Sequence, residues 1–240
     1  MNSNKLFTLI ELMIVIAIIA TIAVIAIPGL VRARISANEV SAVSTLRATA
    51  TSQLQFSKAG LKDRDSDGIG EYGFYTELSG SFGIPSAGVL NPPAQPGFIN
   101  IAIGSSSSID LGTASKAGYM FQMWLPVGDG LAALPEAGGP VALTASQNEV
   151  DTQEFRWACY SWPNDAGKSG NKAFFISFRD ELLSASNQIS SGVFGYSGIL
   201  RPSIGDIYDP SVGLPDLAGP FLLEVPTPPF GVIWSQFNKS

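Results

Sequence analysis

The stretch Asp63-Arg64-Asp65-Ser66-Asp67-Gly68-Ile69-Gly70-Glu71 brings four carboxylates into nine residues. Acids at alternate positions, followed by a glycine that permits a sharp turn, match the first half of a calcium loop. In that reading Asp63, Asp65 and Asp67 supply side-chain oxygens and Ile69 its backbone carbonyl. Glu71 supplies a direct or water-mediated ligand. The twelfth position of such a loop is Phe74 rather than a bidentate glutamate, and Glu77 could replace it only in a longer loop. The same residues also suit a solvated acidic turn, so calcium and solvent both stand as readings.

Elsewhere the chemistry is sparse. The chain has no histidine, which removes the commonest general base and transition-metal ligand. His-dependent triads, His-type zinc sites and C-x-x-C-H haem attachment are excluded. The single cysteine, Cys159, permits no intrachain disulfide and reads as a small buried hydrophobe. Gly167-Lys168-Ser169 has Trp162 where a phosphate loop needs its first glycine, so a turn is expected there and no nucleotide site. Asp180 and Glu181 are adjacent and would point to opposite faces of a strand, unlike a catalytic pair. No enzymatic activity is expected.

The elements that must carry these residues fall into two textures. Leu6 to Val31 is apolar apart from Glu11, Thr8, Thr21 and the Pro28-Gly29 pair. A bilayer core needs about 20 apolar residues in a helix, so the run is long enough to span one. A carboxylate within such a run is costly and marks a functional position. Residues 32–58 contain no Gly or Pro, and Ile35, Val43, Leu46, Ala50 and Leu54 share a helical face. One helix from Phe7 to Lys58 is therefore expected, with a kink or local unwinding at Pro28 and a stop at Gly60.

Beyond Gly60, short apolar runs alternate with Gly, Pro and Ser clusters, the texture of an antiparallel sheet. Strands are expected at Ile99–Ile103, Tyr119–Leu125, Glu154–Tyr160 and Ala173–Phe178, with weaker ones near Gly192–Leu200 and Gly231–Phe237. Turns are expected at Gly128–Gly130, Asn164–Gly167 and Ser169–Asn171, and a low-complexity loop at Ser105–Ser108. The aromatic residues Tyr119, Phe121, Trp124, Phe155, Trp157, Phe174 and Phe175 read as strand core. Most of 201–230 should be irregular because of its prolines. Sequential strands with short loops favour a meander packed on a helix, an α+β fold.

Charge divides the same way. Residues 1–58 carry five basic against two acidic side chains, and residues 59–240 carry nine against eighteen. The acidic body does not suggest nucleic-acid binding. Lys5 on one side of the apolar run and Arg32 and Arg34 on the other give no orientation vote.

Phe7-Thr8-Leu9-Ile10-Glu11-Leu12-Met13-Ile14-Val15-Ile16 resembles the N-terminal signature of type IV pilins and the related pseudopilins. Glu11 is the fifth residue from Phe7 and Pro28 the twenty-second, the spacings at which the family keeps its glutamate and its helix-loosening proline. The resemblance implies a pilin-like fold, with the C-terminal half of a long helix packed on an antiparallel sheet. It divides the chain into a leader-like segment at 1–6, a membrane and filament-core helix at 7–31, its amphipathic continuation at 32–59 and a β-rich head at 60–240.

The implied activity is structural: a major pilin that waits in the bacterial inner membrane and is packed by assembly machinery into an extracellular homopolymer. A pseudopilin of a periplasmic type II secretion fibre and a membrane-anchored surface binding protein are the alternatives. Phe7, Glu11, Pro28 and Gly29 would serve assembly, with Glu11 meeting the N-terminal amine of an adjacent subunit. The family's prepilin peptidase cuts after a glycine and the new Phe amine is methylated; here that position is Leu6. Two outcomes stand: cleavage between Leu6 and Phe7, or a retained leader in which the Met1 amine or Lys5 meets Glu11.

Overall fold

The structure, a computed structural model, describes residues 7–105, 113–127, 132–135, 146–188, 192–203, 206–207, 221, 223, 226–227 and 232–237. Leu6 and the leader-like segment, the Gly128–Gly130 turn, Ser106–Ser108 and most of 201–230 lie outside them.

Helix α1 spans Leu9–Lys58. At 1.5 Å per residue its 50 residues extend about 75 Å. It begins two residues later than the apolar pattern predicts, because Thr8 stays extended and caps it. The helix continues through Pro28 and Gly29 rather than unwinding there. Proline deletes one backbone donor, and the flanking turns keep theirs. Ala59 closes the helix and Gly60 follows with φ +59°, the left-handed geometry that glycine adopts without a Cβ penalty.

The buried face of α1 is Ile35, Ala42, Val43, Thr45, Leu46, Thr49, Ser52, Gln53 and Phe56. Leu54, expected on that face, is half exposed. Polar residues occupy the seam instead, each with a partner. Gln53 Nε2 donates to the Gly73 carbonyl at 2.6 Å, and Gly73 N–H donates back to Gln53 Oε1 at 3.0 Å. Ser52 Oγ donates to the Phe98 carbonyl (2.8 Å) and Ser57 Oγ to the Gly70 carbonyl (2.6 Å). Nearer the apolar half, Asn38 Nδ2 donates to the Ser169 carbonyl (2.8 Å), and Glu39 Oε1 accepts from Asn171 N–H (3.0 Å). A satisfied buried amide or hydroxyl costs little, so this face forms without strict apolar periodicity.

The sheet that α1 meets is antiparallel. Its described strands are β3 (Thr113–Lys116), β4 (Tyr119–Val127), β5 (Ala132–Pro135), β6 (Ala158–Pro163), β7 (Lys172–Ser177), β8 (Leu182–Ser186), β9 (Pro226–Thr227) and β10 (Val232–Gln236). Their order is β3-β4-β6-β7-β8-β10-β9, with β5 paired to the second half of β4. Neighbours β6, β7 and β8 follow one another in sequence, as a meander does. A separate hairpin joins β1 (Ile84–Ser86) to β2 (Val89–Asn91).

Both faces of the sheet are buried. Phe121, Met123, Leu125, Cys159, Phe174 and Ile176 pack toward α1, together with Phe56 and Tyr75. Tyr160, Trp162, Phe175, Leu183 and Trp234 form a second core on the other face with Tyr196 and Ile207. Cys159 is fully buried, as its small apolar character predicts.

Three expected strands differ. Ile99–Ile103 is instead the start of a short helix, α3 (Ile101–Ser105), where Asn100 Oδ1 accepts the Ala102 N–H at 2.9 Å. Glu154–Tyr160 begins as the end of helix α4 (Gln147–Gln153), and the strand starts only at Ala158. Ser146 caps α4 by accepting the Glu149 N–H, and the helix carries Phe155 out to the surface rather than into the core. Around Gly192–Leu200, among the described residues, only isolated bridges form, Gln188 with Phe194 and Ser197 with Leu200.

Candidate functional site

Two regions hold the residues singled out by sequence. The first is the free half of α1. Apart from Ala23, every residue from Phe7 to Arg34 is exposed, including Phe7 at 91% and Leu9 at 76%. Glu11 lies in its first turn. Thr8 N–H and Thr8 Oγ1 both donate to Glu11 Oε2 at 2.8 Å, and Glu11 N–H donates to Thr8 Oγ1 at 3.3 Å. This reciprocal arrangement is a capping box, and the spacing Thr8-Leu9-Ile10-Glu11 was its signal in the sequence. The carboxylate also sits at the helix N-terminus, where the dipole favours it. Pro28 and Gly29 are exposed within the helix, and a Cβ built on Gly29 would meet nothing.

The second region is the acidic loop, positioned by three contacts. Gly70 presses on the end of α1: a Cβ there would lie 2.1 Å from the Ser57 carbonyl oxygen. That close approach turns the chain inward, so Glu71 enters the interior rather than facing the aspartates. Glu71 is fully buried and engaged by Arg64, whose backbone N–H, Nε and NH2 all reach its carboxylate, the last at 2.7 Å from Oε2. The Arg64 guanidinium also donates to Gln153 Oε1 (2.9 Å) and pairs with Glu149 Oε1 (3.4 Å) on α4. A third contact is the buried ion pair of Lys62 with Glu77, at 3.2 Å, which holds the loop's start on α2 (Tyr75–Leu78). Removing one partner of such a pair strands the other, a loss of about 3–5 kcal/mol.

Within this frame the aspartates fold around one point. Asp63 Oδ1 and Oδ2 accept from Ser66 and Gly68 N–H, and Asp67 Oδ1 accepts from Ile69 N–H. Ser66 and Gly68 both take positive φ, at 64° and 91°. Carboxylate oxygens of Asp63, Asp65 and Asp67 lie within 4.8 Å of one another. A second triad, Asp65, Asp151 and Glu154, meets the same limit and shares Asp65. Gln147 Nε2 bridges the two segments, donating to Asp65 Oδ2 and to Asp151 Oδ1. Burial first, then Asp67, Asp65, Asp151 and Glu71, push the Glu154 carboxyl up to about 7.

The structure thus gathers Asp63, Asp65 and Asp67, and puts Ile69 in the same turn. It commits Glu71 to Arg64. Asp151 and Glu154 were missed because more than eighty residues separate them from the loop. Their i, i+3 spacing at the end of a capped helix was the available hint.

No family model, no curated protein and no solved structure matches this chain.

Proposed function

We propose that this chain is a structural subunit of a type IV pilus-like extracellular filament, assembled by lateral packing of α1 helices. The observation that supports this most is the free half of α1. A continuous apolar rod from Leu9 to Val31, exposed on all sides, needs surroundings other than water along its whole length. A membrane meets that need before assembly and neighbouring copies of the same helix meet it afterwards. The first thirty residues, with Glu11 and Pro28 at the pilin spacings, favour this occupant over others.

Glu11 would then leave its Thr8 cap, or share it, to meet an amine of the adjacent subunit as the register check. In the cell the protein would be an inner-membrane precursor and then a surface filament.

Shearing appendages from cells and identifying them by mass spectrometry tests the reading: this protein should dominate the sheared fraction. Its absence there, with the protein retained in the envelope, would favour the pseudopilin alternative. Intact mass of the assembled subunit reads whether residues 1–6 remain. Glu11→Ala should insert into membranes normally yet give few or no filaments; filaments of ordinary number and length from that variant would sink the register role.

A further inference from the structure

We propose that Asp63, Asp65 and Asp67 of the loop, together with Asp151 and Glu154 at the end of α4, hold a single calcium ion that ties the two segments together. The two carboxylate triads share Asp65, and within each the ligand oxygens already lie inside 4.8 Å. Proximity of acids alone would describe a solvated turn. Glu154 is different in kind. It is only 6% exposed, and its Oε1 has no hydrogen-bond partner among the described residues. A carboxylate oxygen buried without a donor is costly, and here the carboxylates of Asp65 and Asp151 lie within 4.8 Å of the Glu154 carboxylate. The sharing of Asp65 brings the Glu154 carboxylate to the edge of the loop's own cluster.

The donor set selects the ion. All five side chains offer hard oxygens, which suits calcium or magnesium and not a soft or imidazole-seeking metal. Calcium accepts six to eight oxygens in adaptable geometry, whereas magnesium holds out for a small octahedron with retained water. Two carboxylate triads joined at Asp65, one in a turn and one reaching to a helix end, suit the larger and more adaptable ion.

The pairing also accounts for the loop's missing second half. The bidentate acid that a self-contained calcium loop carries at its twelfth position is absent here, where Phe74 stands. Glu154 takes that place from a distant part of the chain, and Arg64, Glu71 and Gln153 fix the two segments so that it can. Calcium would therefore report on the docking of α4 against the loop that follows α1, and not on the loop alone.

The test uses the full chain in detergent, stripped with chelator and returned to calcium chloride or magnesium chloride. At calcium about 100-fold above Kd, Tm should rise by about 5–10 °C. Glu154→Gln keeps the size of the side chain and removes its charge. Without calcium it should melt at or above the parent temperature, which shows that it folds. With calcium it should lose most of the shift and bind at least tenfold more weakly by titration calorimetry. Asp151→Asn should weaken binding in the same direction. No calcium shift in the parent chain would overturn the site. An undiminished shift in Glu154→Gln would overturn the two-segment design, and an equal response to magnesium would overturn the choice of ion. None of these readouts depends on filament formation.

Discussion

From Leu9 to Val31 the α1 helix is almost wholly apolar and exposed, whereas from Ile35 to Phe56 its buried face includes Thr45, Thr49, Ser52 and Gln53. The more hydrophobic half thus has no partner among the described residues, and the more polar half is the one that packs. The lower half is held by complementary shape and by side chains that satisfy loop backbone at both ends of the head. The upper half has no such pairing groups and relies on whatever apolar medium surrounds it. One continuous helix therefore obeys two rules for stability, one internal to the molecule and one external.

The contrast can be broken at several points. Phe56 is fully buried and meets the Phe98 ring edge-on at 5.5 Å. Phe56→Ala should cost about 3–5 kcal/mol of head stability, read by denaturant unfolding of the full chain in detergent. Gln53→Ala leaves the Gly73 N–H and carbonyl without the partner they now share. A loss of about 1–3 kcal/mol is expected by the same measurement. Ile19→Ala removes a comparable apolar side chain from the exposed half. It should change head stability by less than about 0.5 kcal/mol while lowering filament yield. If Ile19→Ala destabilised the head as much as Phe56→Ala does, the division of α1 into two regimes would fail.

The parts of the fold governed by simple periodicity were legible in advance. The apolar run, the helix stop at Gly60 and the strands around Tyr119, Ala173 and Val232 follow from residue type and spacing, whereas the helix runs on through Pro28, where proline's missing donor suggests a kink or local unwinding. The seam of α1 was only half legible. Hydrophobic spacing points to Leu54 and Ala50, but Gln53 and Thr49 are buried through hydrogen bonds to Gly73 and Tyr75 that have no local signature. The same limit applies to the acidic site. Asp63, Asp65 and Asp67 announce themselves by alternation, whereas Glu154 joins them through the tertiary contacts of Arg64. Glu71 looked like a ligand because spacing does not register that Gly70 must press on Ser57 and send the next side chain inward.

The rigidity of α1 gives the Asn38 and Gln53 contacts a consequence at a distance. Leu9 projects about 39 Å beyond Ile35, the first residue that the head buries. A tilt of roughly 10° at that fulcrum would carry Leu9 sideways by about 7 Å, most of a helix diameter. The bonds from Asn38 to Ser169 and from Gln53 to Gly73 lie at the base of a lever, and small errors there are multiplied at the tip. The head thus aims the apolar rod as well as anchoring it.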